Sequence, residues 1–153
     1  MIERSPGQPC YTLFFIQTLG DSQSVDPCNS YTVLNDEWRS TNNINNPVLH
    51  CDRDINWHGW YRLFLGNSSA RIPERCTEAF GCGTHAAMWI TEAHPTQPGE
   101  IVTPNVCSSW HGYCCWRPPH TIQVKLCYGG YYVYKLESPP SCYFAYCTGI
   151  VIL

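Results

Sequence analysis

The chain has 153 residues, enough for one domain with a modest core plus short tails. Charged residues make up only 14% of it, below the roughly 25% usual in soluble domains, and aromatic residues equal them at 14%, with 6 Trp and 10 Tyr. A net charge of -3 excludes a basic footprint for nucleic acid or anionic membrane, and no apolar run approaches the roughly 20 residues of a membrane-spanning helix.

Cysteine is the strongest compositional signal. Of 11 cysteines, ten lie from Cys28 to Cys147, spread over the whole stretch: Cys28, Cys51, Cys76, Cys82, Cys107, Cys114, Cys115, Cys127, Cys142 and Cys147. An even, distributed set implies a disulfide framework formed in an oxidising, secretory compartment. The eleventh, Cys10, falls in residues 1–24, which differ from the rest. There a polar start precedes an apolar run interrupted by Thr12, Gln17 and Thr18. That segment fits a weak signal peptide, a strand of an upstream element, or an artefact of where the chain begins, with similar weight for each.

From Asp26-Pro27-Cys28 the module begins. Residues 31–40 mix polar and apolar types too evenly to assign. Asn42 to Pro47 is a loop by composition, and Asp52-Arg53-Asp54 after Cys51 is a solvated turn, lacking the downstream ligands of a calcium loop. Residues 60–65 are a strand, Gly66-Asn67-Ser68-Ser69 a turn, and Ala70 to Ile72 a returning strand. The turn carries the chain's one glycosylation sequon, at Asn67. Residues 73–78 suggest a helical turn around Cys76, and residues 86–90 a short buried strand.

The segment Trp110-His111-Gly112-Tyr113-Cys114-Cys115-Trp116 organises the rest. On an extended strand, neighbouring side chains point to opposite faces, so Cys114 and Cys115 are expected to reach two different segments. Beyond it, Ile122, Val124 and Leu126 alternate with Thr121, Gln123 and Lys125, the pattern of a half-buried strand. Gly129-Gly130 is a two-residue hairpin turn that would set Leu126 opposite Val133 and Lys125 opposite Tyr134. The fold expected is mainly β with short helices, a small α+β, disulfide-rich secreted module with antiparallel hairpins.

Chemistry is sparse. Adjacent cysteines do not match the Cys-x-x-Cys spacing of a structural zinc site, so His111, Cys114 and Cys115 point to disulfides rather than metal. His120 is followed by Thr121, not by the Asp a calcium-dependent lipase dyad needs, and no nucleophile elbow is present. No catalytic residue, cofactor or metal is expected. Trp57, Trp60, Trp110 and Trp116 either stack on a ligand or pack against disulfides, and Trp57 and Trp110 are carried forward as a candidate ligand surface.

The run from Asp26 to Thr148 resembles the cysteine-rich domain shared by uromodulin and the pancreatic secretory granule membrane glycoprotein. The residues that carry the likeness include Trp38-Arg39-Ser40-Thr41, Cys51-Asp52, Gly59-Trp60-Tyr61-Arg62, Arg71-Ile72-Pro73-Glu74-Arg75-Cys76, Cys82 and Met88-Trp89. They continue with Cys107, Trp110, Cys114-Cys115, Gly129-Gly130-Tyr131-Tyr132-Val133-Tyr134 and residues 142–148. The resemblance implies a ten-cysteine domain over residues 25–148, with residues 1–24 and 149–153 as tails. It also implies the pairs Cys28–Cys127, Cys51–Cys142, Cys76–Cys114, Cys82–Cys147 and Cys107–Cys115. In such proteins the domain precedes a zona pellucida polymerisation module and acts in innate defence as a decoy. It presents a mannose-rich N-glycan to bacterial pilus adhesins.

This chain departs from the pattern where that glycan is expected. Lys135-Leu136-Glu137 follows Tyr134, and two further sequon positions hold Thr91-Glu92-Ala93 and Thr103-Pro104-Asn105, leaving Asn67 alone. The expectation is therefore a secreted, non-enzymatic, extracellular glycoprotein module, binding microbial lectin-type adhesins through Asn67. Its alternatives are a structural spacer between other domains of a larger extracellular protein, and a module that binds protein or glycan directly through exposed aromatics.

Overall fold

Residues 25–150 are described in the computed structural model, and Cys10 with the rest of residues 1–24 lies outside them. The architecture is mainly β, with helix among the described residues confined to two 3₁₀ turns, Glu37–Arg39 and Asp52–Asp54. Eleven short strands run in chain order. They are β1 (Thr32–Leu34), β2 (Tyr61–Leu65), β3 (Ser68–Arg71), β4 (Ala86–Ile90), β5 (Ile101–Val102), β6 (Asn105–Ser109), β7 (His120–Thr121), β8 (Gln123–Cys127), β9 (Tyr131–Lys135), β10 (Phe144–Tyr146) and β11 (Gly149–Ile150).

They form two sheets. The larger runs β11-β3-β2-β9-β8-β5, with β1 joined in parallel to β2, and the smaller runs β10-β4-β6-β7. One apolar cluster draws on both: Leu63, Val124 and Tyr134 from the first, Ala86, Met88, Ile90, Val106 and Tyr146 from the second. Strand periodicity divides β4 cleanly. Ala86, Met88 and Ile90 enter that core, while Ala87 turns the other way onto the Cys82–Cys147 disulfide. Full burial of each large aliphatic side chain stabilises the fold by about 1.5–3 kcal/mol.

Five disulfides close the framework: Cys28–Cys127, Cys51–Cys142, Cys76–Cys114, Cys82–Cys147 and Cys107–Cys115. They span sequence separations from 8 to 99 residues. β11 pairs with β3, so the sheet takes in Gly149 and Ile150, residues assigned from sequence to the C-terminal tail.

Four local expectations are corrected. The β8–β9 hairpin pairs Cys127 with Tyr131 across a three-residue loop, Tyr128-Gly129-Gly130, so Lys125 faces Val133 and Leu126 faces Tyr132. One extra loop residue shifts the register by one, which puts Tyr132 and Tyr134 on the face of Val124 and Leu126, not that of Lys125. Residues 73–78 form a bend rather than a helical turn. Residues 110–116 are a tight loop, not an extended strand. Asp52 is not in a solvated turn: it is fully buried against Arg39.

Candidate functional site

Asn67 sits at the tip of the β2–β3 hairpin. Leu65 pairs with Ser68, leaving Gly66-Asn67 as a two-residue loop. Gly66 has φ +62 and Asn67 is not among the residues of positive φ, the arrangement of a type II′ turn, in which glycine takes the first central position. Asn35, just past β1, fixes this tip from the side. Its Oδ1 accepts the Gly66 N–H at 3.0 Å and its Nδ2 donates to the Gly66 carbonyl at 2.9 Å. Asn67 itself is exposed. The sequon therefore stands on a turn held by a ladder on one side and a bidentate side chain on the other.

The Cys-Cys loop is built differently. Trp110 and Tyr113 exchange backbone hydrogen bonds of 3.0 and 2.9 Å around His111-Gly112, both of positive φ, as a type I′ turn requires. Past this turn Cys115 bonds back to Cys107 on β6, and Cys114 reaches Cys76. The two sulfurs diverge because the chain bends at each residue, not because a strand alternates. Trp89 Nε1 donates to the Cys114 carbonyl at 2.8 Å, and Trp116 N–H to the Ser108 carbonyl at 2.8 Å, so the loop is tied to the smaller sheet at both ends.

A row of aromatic rings crosses this loop. Tyr143 meets His85 at 5.3 Å between centroids, His85 stacks on Trp110 at 5.1 Å, and Phe80 lies 5.0 Å from Trp110. The row continues through His111 to Trp116 at 4.8 Å and Tyr113 at 5.6 Å. Trp110 is thus partly buried at the centre of the row, against the core on one side. Trp57 is elsewhere: partly buried, edge-on to Tyr61 and Tyr146, with Nε1 donating to the Asp52 carbonyl at 3.0 Å. The structure does not bring Trp57 and Trp110 together in this row.

The buried polar groups serve packing. Arg39 holds both Asp52 oxygens, at 2.6 and 2.9 Å, and Asp52 also accepts the Tyr146 N–H at 2.8 Å. His94 links Glu74, 2.5 Å from Nδ1, to the Tyr134 hydroxyl, 2.7 Å from Nε2, and that hydroxyl accepts the Ile72 N–H. The chain Glu-His-Tyr has the outline of a catalytic relay. Its phenol, however, is completely buried, and burial pushes it far above the ordinary tyrosine range, so it offers no nucleophile. Cys51, Asp54 and Cys142 converge in space, but the two sulfurs are joined to each other and provide no thiolate for a metal.

Two features escaped sequence reasoning. Asn35 gave no signal, since its partner is backbone 31 residues away. The aromatic row is assembled from segments near 80, 85, 110–116 and 143, and only Trp110 and Trp116 stood out in sequence.

A small two-sheet β fold stapled by five disulfides, with a sequon on an exposed turn, defines the class: a disulfide-rich extracellular module. The chain belongs to the uromodulin-like cysteine-rich domain family, whose profile matches residues 61–148. It is 45% identical over 127 residues to pancreatic secretory granule membrane major glycoprotein GP2 of Mus musculus, covering 80% of this chain and 23% of that protein. It is 44% identical over 124 residues to uromodulin of Rattus norvegicus, covering 80% and 18%. Human GP2 matches at 41% over 124 residues, 80% and 22%. The chain thus spans less than a quarter of the length of each of these three relatives.

Proposed function

We propose that this module acts outside the cell as a non-enzymatic decoy, presenting an N-glycan on Asn67 to mannose-specific adhesins of bacterial pili. The observation that carries it is the position of the sequon. Asn67 projects from a two-residue turn whose backbone is fixed by Asn35, so a glycan there stands clear of the core and is held at a defined point. The disulfides supply the second requirement, a frame that survives outside the cell without a large apolar core. In this reading the module is one part of a larger extracellular glycoprotein, and its neighbours set how many glycans are displayed together. It performs no chemistry of its own: the Glu74–His94–Tyr134 chain is a packing device.

Capture of the secreted protein on an immobilised mannose-specific pilus adhesin tests the proposal. Binding is expected before enzymatic removal of N-glycans and is expected to vanish afterwards. Unchanged capture after removal would refute the glycan route.

A further inference from the structure

We propose that the aromatic row across the Cys-Cys loop is a separate carbohydrate-binding face, taking the C–H side of a neutral hexopyranose at the end of a glycan. It lies on loops of the smaller sheet, apart from the β2–β3 turn that carries Asn67. Four of its rings present themselves outward: Tyr113 is 61% exposed, Phe80 44%, Tyr143 43% and Trp116 37%. The row is continuous, with His85, Trp110 and His111 joining the outer rings at centroid distances of 4.6 to 5.3 Å.

Its members are held in costly conformations. Phe80 has φ +62 and His111 φ +50, a region that bulky side chains avoid. Phe80 gains little burial in return, so core packing does not account for the strain, and strain of this kind concentrates at binding surfaces. The backbone around it is pinned: Phe80 N–H donates to the His85 carbonyl and its own carbonyl accepts the Asn45 N–H, both at 2.9 Å. Bonded cysteines stand beside the outer rings, with Cys142 next to Tyr143, and Cys114 and Cys115 between Tyr113 and Trp116. A face fixed in advance loses little entropy when it binds.

The chemistry selects the ligand. None of the seven side chains is a carboxylate, lysine or arginine, and six of them carry an N–H or O–H at the ring edge, Phe80 being the exception. Aromatic faces are electron-rich, so they attract the weakly positive C–H bonds on one side of a pyranose, while edge donors meet its hydroxyls. An uncharged face gives no reason to prefer sialylated or sulfated sugars. A stable protein partner would need about 20–30 residues on each side, several times the seven present.

The test uses secreted protein stripped of N-glycans, probed on an array of neutral glycans ending in mannose, galactose, glucose or N-acetylglucosamine. Retention by at least one terminal sugar is expected, with tryptophan fluorescence shifting on titration with the matching methyl glycoside. The double variant Tyr113→Ala/Trp116→Ala is expected to bind about tenfold more weakly with its disulfides and circular dichroism intact, and Trp57→Phe to bind normally. Failure of every neutral glycan to bind, or full binding by both the double variant and Phe80→Ser, would overturn the proposal. Because the glycan on Asn67 is removed first, this outcome is independent of adhesin capture.

Discussion

Asp52 shows how much a single residue decides in a thin core. Its carboxylate is fully buried and is matched by Arg39 on one side and the Tyr146 N–H on the other. Asp52→Ala would leave the Arg39 guanidinium buried with only Asp36 as an ion-pair partner, and is expected to lower stability by about 3–5 kcal/mol in denaturant unfolding with disulfides intact. The sequence offered Asp52 only as part of a polar Asp-Arg-Asp turn. Its partner lies 13 residues earlier, in a stretch too mixed to assign, so the pair was illegible before folding placed it. His94 and His120 give a second residue-scale expectation. Burial holds both below the ordinary histidine value of 6.5, for His94 against the opposing pull of Glu74. The folded state therefore keeps them neutral while the unfolded chain takes up protons. Stability has its full value above pH 6.5 and falls as pH drops below it. Glu74, whose burial is outweighed by its bonds to His94, sits below its ordinary value and adds a loss of the same sign at lower pH. The thermal midpoint is expected to drop between about pH 7 and about pH 5, less steeply in His94→Gln, and a flat profile would contradict this.

At the scale of elements, loop length decides both register and stability. Strands β2, β4, β8 and β9 were readable because alternation and apolar runs are local signals. The β8–β9 register was not, because Gly129-Gly130 looks like a complete two-residue turn and only the ladder reveals that Tyr128 belongs to the loop. The same limit applies to residues 110–116, where the divergence of Cys114 and Cys115 was foreseen but a type I′ turn stands in place of a strand. The disulfides differ in what they close. Cys28–Cys127 spans 99 residues and Cys107–Cys115 only 8. On loop entropy alone the long closure contributes about 4.7 kcal/mol and the short one about 2.5 kcal/mol. Replacing both cysteines of the long pair by alanine is expected to lower stability by about 2 kcal/mol more than replacing those of the short pair. Equal losses would mean that the short loop's packing around Trp110 and Trp116 outweighs chain entropy.

For the whole molecule, two sheets and five disulfides hold two unrelated surfaces at a fixed separation: a sequon on the larger sheet and an aromatic row on the smaller. The cysteine count and the sequon made the class of protein legible from sequence, since both are written in single residues. Pairing was not, because ten cysteines permit hundreds of arrangements and only family resemblance narrowed them. The aromatic row was hidden for a related reason: its rings come together only after the staples close. The Cys-Cys loop, which sequence offered as a candidate chemical site, carries its sulfurs in disulfides and displays its rings instead. The central claim is that Asn67 is the point of glycan display. Glycopeptide mass spectrometry of the protein secreted from animal cells tests it most directly. The peptide containing Asn67 is expected to carry a mannose-rich N-glycan in most molecules, and an Asn67 peptide recovered entirely unmodified would contradict the account.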